Sequence, residues 1–118
     1  MYVSTNIINP KNNNVMEIND SNYSEVLAQN KPMVLDFWAT WCGPCRMVGP
    51  VIQQLADQYE GQVIVGKVNI EENADELVAQ FGIRNIPTIV FMKNGEVVDK
   101  VVGAAPKPTL EAKLQALL

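Results

Sequence analysis

Hydrophobic and polar positions change their spacing several times along the chain, and each change predicts an element. Residues Met1 to Asn14 are rich in Asn, include Pro10 and show little periodicity, so they read as a flexible N-terminal extension, with one short extended piece around Ile7-Ile8. Val15 to Ile18 reads as a short strand. Asp20 is placed to cap a helix that carries Tyr23, Val26 and Leu27 on one face and ends at Lys31-Pro32. The run Met33-Val34-Leu35-Asp36-Phe37-Trp38-Ala39 is almost continuously apolar, as a central strand covered on both faces requires.

A long helix is predicted next, from about Gly43 to Tyr59, with Val48, Val51, Ile52, Leu55 and Tyr59 on its buried side. Pro50 lies inside it, lacks an amide hydrogen and crowds the carbonyl of Arg46, so a kink is expected there. Gln62 to Asn69 reads as a second interior strand. Glu71, Glu72, Asn73 and Asp75 put negative charge at the start of the next helix, whose apolar face is Leu77, Val78 and Phe81 and whose stop is Gly82. Thr88 to Met92 and Val97 to Val102 are β-rich runs joined through Asn94-Gly95, a strong hairpin signal, so these two strands are antiparallel. Pro108 suits the first turn of a last helix with Leu110, Leu114 and Leu117 facing inward. The order β-α-β-α-β-α-β-β-α predicts an α/β fold with a mixed central sheet and helices on both faces.

Composition narrows the function. A chain of 118 residues suits one domain, here 15–118 after the extension 1–14. With 47% hydrophobic and 19% charged residues it is an ordinary globular sequence. The net charge of -4 and the lack of any Lys/Arg cluster argue against nucleic acid as a partner. No apolar run approaches the roughly 20 residues of a membrane span, and no secretory pattern opens the chain, so no membrane and a cytoplasmic address are expected. Nothing in the pattern demands more than a monomer.

The chain has two cysteines, Cys42 and Cys45, too few and too close to staple a small secreted fold, so their role is expected to be chemical. If Cys42 caps the long helix, Cys45 follows one turn later on the same face, with Cβ atoms about 5–6 Å apart. That spacing closes a disulfide with little backbone movement. The unpaired amides and partial positive charge of the first helical turn favour thiolate over thiol at Cys42, which makes it the attacker. Pro44 is tolerated because a first-turn amide hydrogen is dispensable. The structural alternative is half a zinc site; with no His and no third Cys, four ligands would require two copies, so no metal is expected. Two inert core cysteines are the other alternative, and the flanking Trp41, Gly43 and Pro44 make poor core.

Asp36 shares one side of its strand with Val34 and Trp38, which sets a carboxylate among apolar groups. An unpaired buried charge is unfavourable, so its pKa should rise. The plainer reading is a strand-end Asp that reaches water. Because the chain has no His, Asp36 is the nearby candidate base for Cys45. Lys67, on the Val63-Val65 side of the adjacent strand, either tunes Asp36 or is a surface lysine that snorkels to water.

Asp36-Phe37-Trp38-Ala39-Thr40-Trp41-Cys42-Gly43-Pro44-Cys45, followed by Pro50, Lys67, Ile86-Pro87-Thr88, Asn94-Gly95 and Gly103, resembles the thioredoxin family in order and spacing, from about Val15 to Leu118. The resemblance implies that Cys42 is the nucleophile, Cys45 the resolving thiol and Asp36 the proton acceptor for Cys45. It implies a cis Ile86-Pro87 bond, against a general X-Pro chance of about 5–6%. It further implies that Trp41, Gly43, Pro44, Ile86, Pro87, Gly103 and Ala104 form a flat apolar surface that receives disulfide-containing client proteins. The Gly-Pro pair between the cysteines resembles reductases more than the oxidases and isomerases of this fold. The chain departs from the family in its Asn-rich extension, in Thr40 and in Gly49, none of which touches the chemistry.

The expected activity is protein-disulfide reduction by dithiol-disulfide exchange. No dinucleotide fingerprint is present, so no resident cofactor is expected, and by resemblance electrons arrive from thioredoxin reductase. Two rivals are a binding module in which the cysteine pair is incidental, and an oxidase or isomerase on the same fold.

Overall fold

A strand apolar on both faces must be sandwiched, and Met33–Trp38 (β2) lies at the middle of the sheet in the computed structural model, which describes residues 14–118. The extended piece expected at Ile7-Ile8 lies outside the described residues. Around β2 the chain lays down β1 (Val15–Glu17), α1 (Tyr23–Leu27), α2 (Gly43–Gln58), β3 (Ile64–Asn69), α3 (Asp75–Gln80), β4 (Thr88–Lys93), β5 (Glu96–Val102) and α4 (Lys107–Gln115), in the expected order. The five strands form one sheet, β1-β3-β2-β4-β5. β1 and β2 run parallel to β3, while β4 is antiparallel to both β2 and β5. Asn94 and Gly95 both take positive φ, 56° and 79°, as a tight turn joining twisted antiparallel strands needs.

Alternation along β2 sorts the core into two halves. Met33, Leu35 and Phe37 pack with Tyr23 and Val26 of α1 and with Leu77 and Phe81 at α3. Val34 packs on the other side with Val48, Ile52 and Leu55 of α2 and Leu110 and Leu114 of α4. Each fully buried Leu or Phe of this kind contributes about 1.5–3 kcal/mol of hydrophobic stabilisation. A Cβ at Gly66 of β3 would meet the tip of the buried Ile18 side chain, so any larger residue there makes Ile18 shift.

Several local expectations are corrected. Asp20 does not cap α1; its two carboxylate oxygens accept the amides of Glu76 (3.0 Å) and Leu77 (3.0 Å), so it caps α3 from across the fold. The turn before α1 is held instead by Asn19, whose Oδ1 accepts the amides of Ser21 and Asn22. α1 ends at Leu27, ahead of Lys31-Pro32, because Asn30 turns the chain with φ 59°. β3 begins at Ile64 rather than Gln62, since the amides of Gln62 and Val63 both return to the Tyr59 carbonyl. Val51 and Val78 are half-buried, lying at the margins of their helix faces, while Ala56 joins the buried side of α2. Glu71 and Glu72 precede α3, whose first turn carries Asp75 and Glu76.

Candidate functional site

The C-terminal end of β2 delivers the chain into a tight turn, Ala39 to Cys42, closed by the Cys42 amide on the Ala39 carbonyl at 3.2 Å. Cys42 then takes an extended conformation, φ -91° and ψ 109°, and becomes the N-cap of α2, with a proline in the first turn. Its Sγ accepts the Cys45 amide at 3.2 Å, so the sulfur occupies the place where a capping oxygen normally sits. Cys42 and Cys45 are joined by a disulfide with Cα atoms 5.3 Å apart. Both are nearly buried, in a small cluster with Ala39, against which Trp38, Ile70 and Ile86 pack.

The residues expected around the sulfurs come from three chain segments. Trp41 is 62% exposed, and Gly43 and Pro44 beside it are exposed. The Ile86-Pro87 bond is cis, and Ile86 reaches the cysteine cluster while Pro87 is buried. The Pro87 carbonyl accepts the Gly103 amide at 2.8 Å, which ties the end of β5 to the cis turn. Gly103 has φ 92°, a conformation that suits glycine. Ala104 follows it and is exposed.

Asp36 is 1% exposed, and its Oδ1 has no hydrogen-bond partner among the described residues. Burial pushes its carboxyl up to about 7, with the Lys67 ammonium pulling the other way. Water at the strand end, the plainer reading, therefore does not apply. Lys67 is half-buried and is the register partner of Asp36 on β3. A cleft of about 260 Å³ opens on Cys45 and is lined also by Trp38, Ala39, Thr40, Arg46, Gly49 and Lys67. Asp36 is not among the residues that line it.

Three neighbours of the site went unassigned from sequence. Trp38 is legible as the strand-mate of Asp36, yet its contact with the cysteines depends on the turn that follows. Ile70 gives no local signal, because only the pairing of β3 beside β2 brings it to the sulfurs. The Arg46 guanidinium donates to the Thr40 carbonyl at 3.1 Å and so clips the turn before Cys42. Its position four residues after Cys42 on a helix is the one hint.

Among the described residues no helix is long and apolar enough to cross a membrane. Residues 14–116 match the family model described as Thioredoxin. The chain is 50% identical over 99 residues to a thioredoxin of Chlorobaculum thiosulfatiphilum, covering 83% of this chain and 91% of that protein. It is 51% identical over 100 residues to thioredoxin 1 of a Nostoc species, covering 84% of this chain and 92% of that one. Among solved structures, a thioredoxin of Malassezia sympodialis matches with a TM-score of 0.78 and 39% identity, over 87% of this chain and 90% of that chain.

Proposed function

Since the chain belongs to the thioredoxin family and is a thiol-disulfide oxidoreductase, we propose that it reduces client disulfides with Cys42 as nucleophile and Cys45 as resolving thiol. In the reduced protein the Cys42 sulfur at the α2 N-terminus is favoured as thiolate by the Cys45 amide and the helix dipole. It attacks one client sulfur, forms a mixed disulfide and releases the other client sulfur as a thiolate. Asp36 takes the Cys45 proton, and the Cys45 thiolate attacks the Cys42 sulfur. The second client thiolate leaves, two electrons have passed to the client, and the Cys42–Cys45 disulfide is formed. A base that holds its proton near neutrality matches this task, and the carboxyl at about 7 supports the role. Lys67 tunes that carboxyl.

Trp41, Gly43, Pro44, Ile86, Pro87, Gly103 and Ala104 form the surface that receives the client. The exposure of Trp41, Gly43, Pro44 and Ala104 around nearly buried sulfurs supports this reading. The working unit is residues 15–118, acting as a monomer in the cytoplasm, and thioredoxin reductase returns the electrons. The observation that carries the proposal is the cysteine pair itself, with Cys42 as N-cap and its sulfur accepting the Cys45 amide.

The test is NADPH consumption with thioredoxin reductase and insulin. Wild-type protein is expected to sustain turnover and a Cys42→Ser, Cys45→Ser double variant to give none. Absence of turnover with the wild-type chain would overturn the reductase reading.

A further inference from the structure

Lys67 stands on β3 between two carboxylates, since Asp36 of β2 and Glu17 of β1 are both its register partners. Register partners on adjacent strands project to the same side, so the ammonium has a carboxylate on either hand. Glu72 lies nearby as well, lining with Glu17, Trp38 and Lys67 a second cleft of about 160 Å³. Yet among the described residues no carboxylate pairs with the Lys67 Nζ within 4.0 Å. The Nζ lies instead over the Trp38 ring, 4.4 Å from its centroid. Asp36, one strand away, is left with an unpartnered buried oxygen.

A charge pair attracts more strongly than a cation and a ring face when both are withdrawn from water, so an unrestrained lysine would be captured by Asp36. We propose that Trp38 is a positioning residue, whose indole face holds the Lys67 ammonium off the Asp36 carboxyl. On the Asp36 side of the sheet β4 offers Ile89, α2 offers Val48 and Ile52, and α4 offers Leu110 and Leu114; among the described residues the one further titratable group nearby is Cys45, a thiol once the disulfide is reduced. Burial is the larger influence on Asp36 and Lys67 is the charge that opposes it, so where the ammonium rests sets how far that rise is countered. An Asp paired with lysine would sit back in the ordinary carboxylate range and be a poor acceptor for a thiol proton. The inference deepens the reading of Asp36 as that acceptor and rests on it.

The test is a 13C NMR titration of the Asp36 carboxyl in the reduced protein, which reads the group whether or not it acts in catalysis. Trp38→Leu is expected to lower the midpoint by about one pH unit or more, as Lys67 turns to Asp36. Trp38→Phe keeps a ring face and is expected to stay near the wild-type midpoint. In a Lys67→Met background, Trp38→Leu is expected to move nothing. A tetrafluorinated tryptophan, incorporated in a Trp41→Phe background so that Trp38 alone is labelled, keeps the shape while stripping the ring of its negative face. It should reproduce the downward shift and guards against loss of folding in the leucine variant. A midpoint that stays or rises when Trp38 loses its ring face, or a shift that persists without Lys67, overturns the proposal. Single-turnover kinetics of Asp36→Asn test the catalytic reading separately.

Discussion

Successive residues of β2 look to opposite sides of the sheet, and the two sides differ in kind. Met33, Leu35 and Phe37 meet α1 and α3 in a core that carries no charged side chain and whose buried polar group, the Thr88 hydroxyl opposite Phe37, is satisfied by the Asn85 carbonyl. Val34 begins the other side in the same way, but two residues on stands Asp36, buried with an unpartnered oxygen, and then Trp38 against the cysteines. The first side supplies stability. The second carries a buried carboxyl that holds its proton up to about 7, on the strand whose C-terminal end leads into the cysteine turn and α2. A single strand thus separates folding from chemistry by the side its residues face.

The contrast is broken most strongly at the sulfurs. Cys45→Ser is expected to cut multiple-turnover insulin reduction on the order of a thousandfold or more, the scale on which one member of a catalytic pair acts. The same variant should accumulate client adducts that reducing agent dissolves on gels, with little change in the urea midpoint of the reduced protein. Phe37→Ala does the reverse. It should lower unfolding stability by about 3–5 kcal/mol in urea titration, through the cavity it leaves, while the folded fraction reduces disulfides at the normal rate.

Asp36 joins the two sides of the comparison, because its environment shows in stability as well as in rate. The unfolded carboxyl releases its proton near 3.8, whereas the folded one holds it to about 7. Between those values the folded state binds more protons, so stability falls as pH rises through that window and is level above it. The loss amounts to about 4 kcal/mol, full stability from this group being present below the unfolded value. Urea unfolding from pH 3 to 9 should show the fall in wild type and not in Asp36→Asn. The same variant should slow the resolving step at pH 7 on the order of a hundredfold in single-turnover measurements. The smallest effect is expected far from the sulfurs: Asp20→Ala removes the cap of α3 and should cost about 1 kcal/mol, with activity unchanged.

What was legible in the sequence followed the range of the interaction behind it. The Asn94-Gly95 turn is written in two adjacent residues whose positive φ no neighbour has to impose, and β2 announces itself by a run that only a two-sided core tolerates. The placement of Cys42 at the start of α2 is local too. Asp20 went astray because its partners, Glu76 and Leu77, are more than fifty residues away, and an acidic residue just before a helix looks the same whichever helix it serves. The Trp38–Lys67 contact belongs to the pairing of β2 with β3, which alternation within either strand does not state. The cis bond before Pro87 was anticipated from family likeness alone, since nothing in the residues beside it sets the isomer.

The division of labour between the sulfurs is tested most directly by alkylating the reduced protein with iodoacetamide across pH 5 to 10 and reading each cysteine by peptide mass spectrometry. Cys42 is expected to react first, with a midpoint at least about one unit below the 8.5 of a free thiol. Reaction of Cys45 ahead of Cys42, or a Cys42 midpoint at the free-thiol value, would contradict the account.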